Sequence, residues 1–383
     1  MSIGTVHPAQ QLAYADPATG VRVRQLTGAC CHANHVYFTH AGWHADDSRL
    51  LIASDRSGSG ELYSLDLASG DMLQLTAFAD GQSRSFFYAM PSPVSEEVFI
   101  LEDDRILRID LASLRQEVLY RIPTGYQSTS YNISADGRRL YFAECEDLSD
   151  RIDTDLLNGY VGFAETWAAK PHCRIIALDL ASGSTELLWE EQAWIGHVNA
   201  SPTDPDLLTF CHEGPWNKVD HRIWLLRAGA DEPQQLATHR ADGGIGHEYW
   251  FADGQHVGYH GWRDDLPDLI GRVAIADGQA TETLSPIATQ STRPTRHIFS
   301  HDHRLVVSDA HDDLLTLWRW TGEDYEARPL ATHRGSFHSQ RLHVHARFTP
   351  DGSQVLYTSD RSGYGQVYLA DCPAFDDLPP MPA

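Results

Sequence analysis

The sequence predicts an all-β fold, a seven-bladed β-propeller whose ring is closed by an N-terminal strand joining the last blade. Three observations predict it. A unit of about 40 to 50 residues recurs along the chain, its strands alternate apolar and polar residues, and the N-terminal segment supplies a strand that the last copy lacks.

The repeat opens on a DG- or DD-type turn, passes through an alternating strand, a polar loop and a second strand, turns at a DLASG-like sequence and ends in a third strand. It reads HADDSRLLIASDRSGSGELYSLDLASGDMLQLTAF at 44–78 and PSPVSEEVFILEDDRILRIDLASLRQEVLYRI at 91–122. The third copy starts SADGRRLYFAEC at 134–145 and resumes as CRIIALDLASGSTELLW at 173–189 after an insertion at 146–170. Further copies start near 201, 251, 300 and 349, and the last reuses the SDRSG of Ser54–Gly58 at Ser359–Gly363. Repeats of three or four strands at this spacing are propeller blades, and counting starts gives seven. A sandwich would not repeat the DLASG turn at fixed phase, and a solenoid would use shorter repeats.

The last copy ends near Ala370 with no outer strand left. GVRVRQLT at 20–27 matches the third-strand pattern of other copies, so it is expected to complete that blade and protect an edge otherwise open to pairing. The expected organisation is one propeller domain over 1–383. The insertion, with DLLNGYVGFAETWAAK, reads as a helix or lid loop, and the tail within 372–383, ending DDLPPMPA, reads as disordered.

Composition narrows the function. Fifty-three acidic against 29 basic residues give a net charge of −24, without the basic stripe of a nucleic-acid binder. An anionic substrate would need local attraction, by a metal or by arginines. No stretch approaches the roughly 20 apolar residues of a membrane helix. The N-terminus has no basic segment leading into an apolar run, so the cytoplasm is the expected compartment. The six cysteines form no CxxC pair and read as buried, reduced thiols.

Histidine, with 21 copies, is the residue to follow. Clusters occur at CHANH (Cys31–His35), WIGHVNAS (His197), CHEGPW (His212, Glu213), GIGHEYW (His247, Glu248), TRHIFS (His297) and QRLHVHARF (Gln340, His343, His345). All but the first precede or open a repeat at similar phase, and equal phase means equal radius and height on the ring. In an extended HVH, His343 and His345 would face the same way and could present two imidazoles. Gln340 could add an amide oxygen, and His297, one blade earlier, a third nitrogen. Such a set with open positions suits Mn, Fe, Co, Ni or Zn; the plain alternative is a polar strand face. The His-Glu pairs lack the HExxH spacing of a zinc protease. Arg222, in VDHRIW, is a surface cation or, on the axial side, a clamp for a carboxylate. No GxSxG elbow or phosphate-binding glycine loop is present.

CHANHVYF, KPHCRIIALDL, WIGHVNASP, CHEGPWNKVDHRIW, GHEYW, RHIF and QRLHVHARFTPDG, in this order, resemble the oligogalacturonate lyase family, seven-bladed propeller enzymes of pectin breakdown. The resemblance implies that His297, Gln340, His343 and His345 bind a divalent ion, manganese in the family. It implies that His247 is the general base and that Arg222 stabilises the substrate carboxylate or the developing charge. His32, His197 and His212 fall in family motifs and are expected to line the substrate cleft. The implied partner is an acidic oligosaccharide, with no nucleic acid and no membrane. Two other readings are a lyase for another uronate-containing oligosaccharide and a non-catalytic, TolB-like or WD-like binding scaffold.

Overall fold

The DLASG sequences make hairpins because aspartate ties the turn to its own backbone. Asp66 Oδ1 accepts the N–H groups of Ala68 (3.0 Å) and Ser69 (2.8 Å), and Gly70 follows at φ +82°. Asp179 repeats the motif with Ala181 (3.2 Å), Ser182 (2.7 Å) and Gly183 at φ +72°. In the copy that reads DLASL, Leu114 takes the left-handed position at φ +59° instead.

The computed structural model describes residues 2–382 apart from 79–85, 158, 239, 241, 265, 277–278, 287–297, 303–304 and 310–312. His297 therefore lies outside the described residues. Seven antiparallel sheets form among those described, which is the seven-bladed ring expected. The innermost strands are Ala33–His35, Met90–Pro91, Tyr126–Ile133, Ile195–Ala200, Gly243–Trp250, Ile298–Asp302 and Arg347–Phe348. The repeats starting at 134, 201, 251 and 349 begin at the turn directly after such a strand, so the histidine motifs ahead of them lie on or just before the innermost strand of that same blade.

The ring closes as the sequence predicts. Arg22–Gln25 pairs antiparallel with Gln366–Asp371, with Val23 opposite Ala370 and Gln25 opposite Tyr368. Leu12–Ala15 adds a further strand outside it, and Val6–His7 pairs with Met72–Gln74 of the first blade. The core lies between neighbouring sheets. Ile52 and Tyr63 of the first blade pack with Leu356 and Val367 of the last, and Tyr141 and Ile175 of the third pack with Val198 and Phe210 of the fourth.

Two expectations are corrected. The tail is not a disordered end throughout: Phe375–Asp377 forms a 3₁₀ turn, Phe375 and Leu378 are buried in the core, and Asp376 pairs with Arg319 at 2.9 Å. Two apolar anchors hold it, and the surrounding Pro and Asp residues hid them. The thiols are not all reduced: Cys145 and Cys173 form a disulfide with Cα atoms 4.1 Å apart. They face each other on Arg139–Glu146 and His172–Asp179, the strands that flank the insertion. A separation of 28 residues in sequence becomes direct cross-strand opposition once the insertion loops out. The insertion carries a helix at Phe163–Ala169. No helix among the described residues is long and apolar enough to cross a membrane.

Candidate active site at the hub of the propeller

The shared phase of the histidines has a structural cause. In the third, fourth and fifth blades the innermost strand carries a bulge at the same place, with two residues opposite one. In the fourth blade these are His197 and Val198, between the Gly196–Cys211 and Asn199–Thr209 pairs. In the fifth they are His247 and Glu248, between the Gly246–His260 and Tyr249–Gly258 pairs. His197 and His247 adopt left-handed backbones, φ +47° and +54°, and His345 joins them at +49°. Each such residue costs about 1–2 kcal/mol, a strain that collects at sites where side chains must be aimed.

The segment before the seventh blade's inner strand departs from expectation. Residues 343–345 are not a strand; Gln340–Leu342 is a 3₁₀ turn, His343 is extended (φ −66°, ψ 143°) and His345 is left-handed. The two imidazoles still come together, with ring centroids 5.5 Å apart, and both residues are buried. Asp309 accepts the His345 backbone N–H at 2.9 Å and so pins the left-handed turn. Gln340 donates from Nε2 to the Tyr160 hydroxyl at 3.0 Å, leaving its carbonyl oxygen as the acceptor end of the amide. Its backbone N–H donates to Leu157 O at 3.0 Å. The insertion rooted in the third blade thus reaches the seventh blade's histidine loop.

Tyr37 and Phe38 sit where three of these histidines converge. Tyr37 lies 5.7 Å from the His197 ring and 4.9 Å from His345. Phe38 lies 6.0 Å from His247 and 6.2 Å from His345. His197, His247 and His345, from the fourth, fifth and seventh blades, therefore border one aromatic pair.

A buried charge network lies beside them. Arg222 Nη1 donates to Glu213 at 3.0 Å, and its Nε lies 3.7 Å from Glu248. His197 Nδ1 is 3.0 Å from Glu248, and its Nε2 is 3.8 Å from Glu213. Burial works to lower the His197 pKa, but the facing Glu248 and Glu213 carboxylates outweigh it and raise it above its ordinary value. Burial likewise pushes Glu213 and Glu248 up, yet Arg222 and His197 hold both below the usual carboxylate range. Removing one member of such a buried set costs about 3–5 kcal/mol, because the partner charge is stranded. Arg222 Nη2 makes no hydrogen bond to a described residue, and the side chain as a whole is buried.

His247 pairs with His260. Nδ1 of His247 and Nε2 of His260 are 2.7 Å apart, the ring planes differ by 3° and the centroids are 4.9 Å apart. That is an in-plane hydrogen bond, edge to edge. Trp216 presents its ring at 5.5 Å to both imidazoles.

Two expected cleft residues stand apart from this group. His212 turns to Glu191 at 2.9 Å and stacks near Trp224, so its neighbour Glu213 is the residue that enters the network. His32 accepts the Gly365 N–H at 3.0 Å and contacts Tyr364 at the first–last blade seam. Sequence reading underrated Glu213 and Glu248, which the repeated His-Glu dipeptides signalled, and gave no sign of His260, Trp216 or Asp309. His197, Cys211 and Glu213 also bring ligating atoms within 4.8 Å of one another.

A propeller whose hub combines imidazoles, a buried and a half-buried carboxylate and a buried arginine is an axial-site enzyme equipped for proton transfer beside an anion. The family profile described as oligogalacturonate lyase matches residues 1–330. An oligogalacturonide lyase of Pectobacterium atrosepticum is 29% identical over 97% of this chain and 99% of its own. A solved oligogalacturonate lyase in complex with manganese superposes with TM-score 0.87 at 28% identity, covering 98% of this chain and 99% of that one. The oligogalacturonate lyase of Vibrio parahaemolyticus gives TM-score 0.86 at 25% identity over 97% and 99%. The chain belongs to the oligogalacturonate lyase family. It is an enzyme of the lyase class, which removes the scaffold reading.

Proposed function

We propose that the protein cleaves short oligogalacturonides by metal-assisted β-elimination, working in the cytoplasm in pectin catabolism. The observation that carries the reading is the convergence of His197, His247 and His345 on Tyr37–Phe38. Elimination removes the proton at C5, α to the uronate carboxylate. The C–H electrons form the C4–C5 double bond, the C4–O bond breaks, and its electron pair leaves on the oxygen, which takes up a proton. The product rearranges to 4-deoxy-5-keto-uronate.

His247 takes the C5 proton on the nitrogen not bonded to His260; imidazole is a common general base near neutrality. Arg222 supplies a permanent positive charge that attracts the carboxylate. Gln340, His343 and His345, with His297, are proposed to hold a divalent ion, manganese, the metal of the solved relative. The donor set fits: two imidazoles 5.5 Å apart and an amide oxygen left over from the Tyr160 bond. Such an ion, when bound, supplies Lewis-acid stabilisation of the negative charge that builds on the carboxylate.

A second placement, on His197, Cys211 and Glu213, is favoured by their close ligating atoms. Against it, Arg222 already lies 3.0 Å from Glu213 and would repel another cation. The test of function is incubation with digalacturonate and its unsaturated form, with manganese supplied. Keto-uronate is the expected product. Product only from a different uronide would move the substrate within the acidic oligosaccharides.

A further inference from the structure

We infer that His260 is a positioning residue that selects the tautomer of His247, holding the proton on Nδ1 so that Nε2 stays bare to accept the substrate's proton. The inference rests on the proposed role of His247 as base. It follows from the in-plane contact of 2.7 Å between His247 Nδ1 and His260 Nε2. One proton fits between two nitrogens at that distance. If it belongs to His247, the other His247 nitrogen carries a lone pair and is a base. If it belongs to His260, the other His247 nitrogen is itself an N–H and cannot take a proton. Which nitrogen of a histidine is protonated is set by the bond its other nitrogen makes.

The surroundings make the pair asymmetric. His260 is 5% exposed, on His256–Arg263, whereas His247 is half-buried on the bulge that faces the hub. His247 is the more exposed of the two. Trp216 covers both rings, and it fits because residue 246 is glycine: a Cβ there would lie 2.6 Å from the indole. Excluding water from the contact strengthens it. After proton transfer His247 is an imidazolium whose Nδ1–H still donates to neutral His260, so the same bond supports the charged form. An isolated histidine side chain favours the Nε2–H tautomer, so without His260 the basic nitrogen would be exposed in a minority of molecules.

The test compares His260→Leu, which removes the acceptor, with His260→Gln, whose Oε1 can accept from Nδ1–H. The readouts are kcat and KM on digalacturonate with manganese, and metal content. For leucine, kcat is expected to fall several-fold, less than on removal of the base itself, with KM and metal content little changed; glutamine should restore most of it. Wild-type kcat in the leucine variant, or equal losses in both variants, would overturn the inference. If the variants fail to fold, ¹⁵N-histidine spectra of the wild-type protein decide it directly, with the His247 signals assigned by their loss in His247→Ala. Protonated Nδ1 and bare Nε2 are expected, and the opposite tautomer overturns the inference. Turnover retained in His247→Ala would instead remove the base reading itself.

Discussion

His247→Ala is expected to abolish elimination, lowering kcat by about 10²–10⁴-fold, while the protein keeps its metal. The side chain is placed by a bulge and a left-handed residue, both backbone features, so truncation at Cβ leaves the hub's architecture intact. His260 at 2.7 Å and the rings of Trp216 and Phe38 at 5.5 and 6.0 Å contact its imidazole, and none of the three is a proposed ligand. Loss of turnover with unchanged metal content therefore separates proton abstraction from metal binding. Retained activity would mean that another group takes the C5 proton.

The second large effect is expected at the other side of the hub. The double variant His343→Ala, His345→Ala should lose its divalent ion, measured as metal per protein chain after dialysis, and its turnover with it. The two rings lie 5.5 Å apart and belong to one loop, so losing both removes two of the three proposed nitrogen donors, which Gln340 cannot replace. Loss of metal without unfolding is the diagnostic result. Metal retained in the double variant would shift the ligands to His197, Cys211 and Glu213.

The architecture was legible because propeller blades repeat both their turns and their alternation. Asp66, Asp110 and Asp179 each cap a turn with the same bonds, so the motif is visible as a string. The closing strand was legible because its residues copy the pattern of a missing one. The hub was partly legible: His197 and His247 share a phase because each sits on a bulge two residues wide. A bulge is invisible to a period-2 reading, and so were its consequences. Glu248 and Val198 are drawn into or past the hub by it, and the His343–His345 pair forms through a left-handed residue where alternation predicted a strand.

The rest depended on contacts across long separations. Glu213 displaces His212 as the hub residue because Glu191, on another blade, captures the His212 ring. His260 lies in HVGYHGW, a string with no catalytic signature, and matters only because Gly246 sits opposite it. Cys145 and Cys173 become partners only when the insertion is looped out, and the insertion's reach to Gln340 through Tyr160 spans 180 residues. Phe375 and Leu378 find their burial against residues of other blades rather than in any local pattern.

The most direct measurement is an anomalous difference map from crystals grown with manganese. A single strong peak is expected within coordination distance of the His343 and His345 imidazoles and the Gln340 carbonyl oxygen. A peak seated instead on His197, Cys211 and Glu213, or side chains at 343 and 345 that share no ion, would contradict a cation held by the seventh blade's loop.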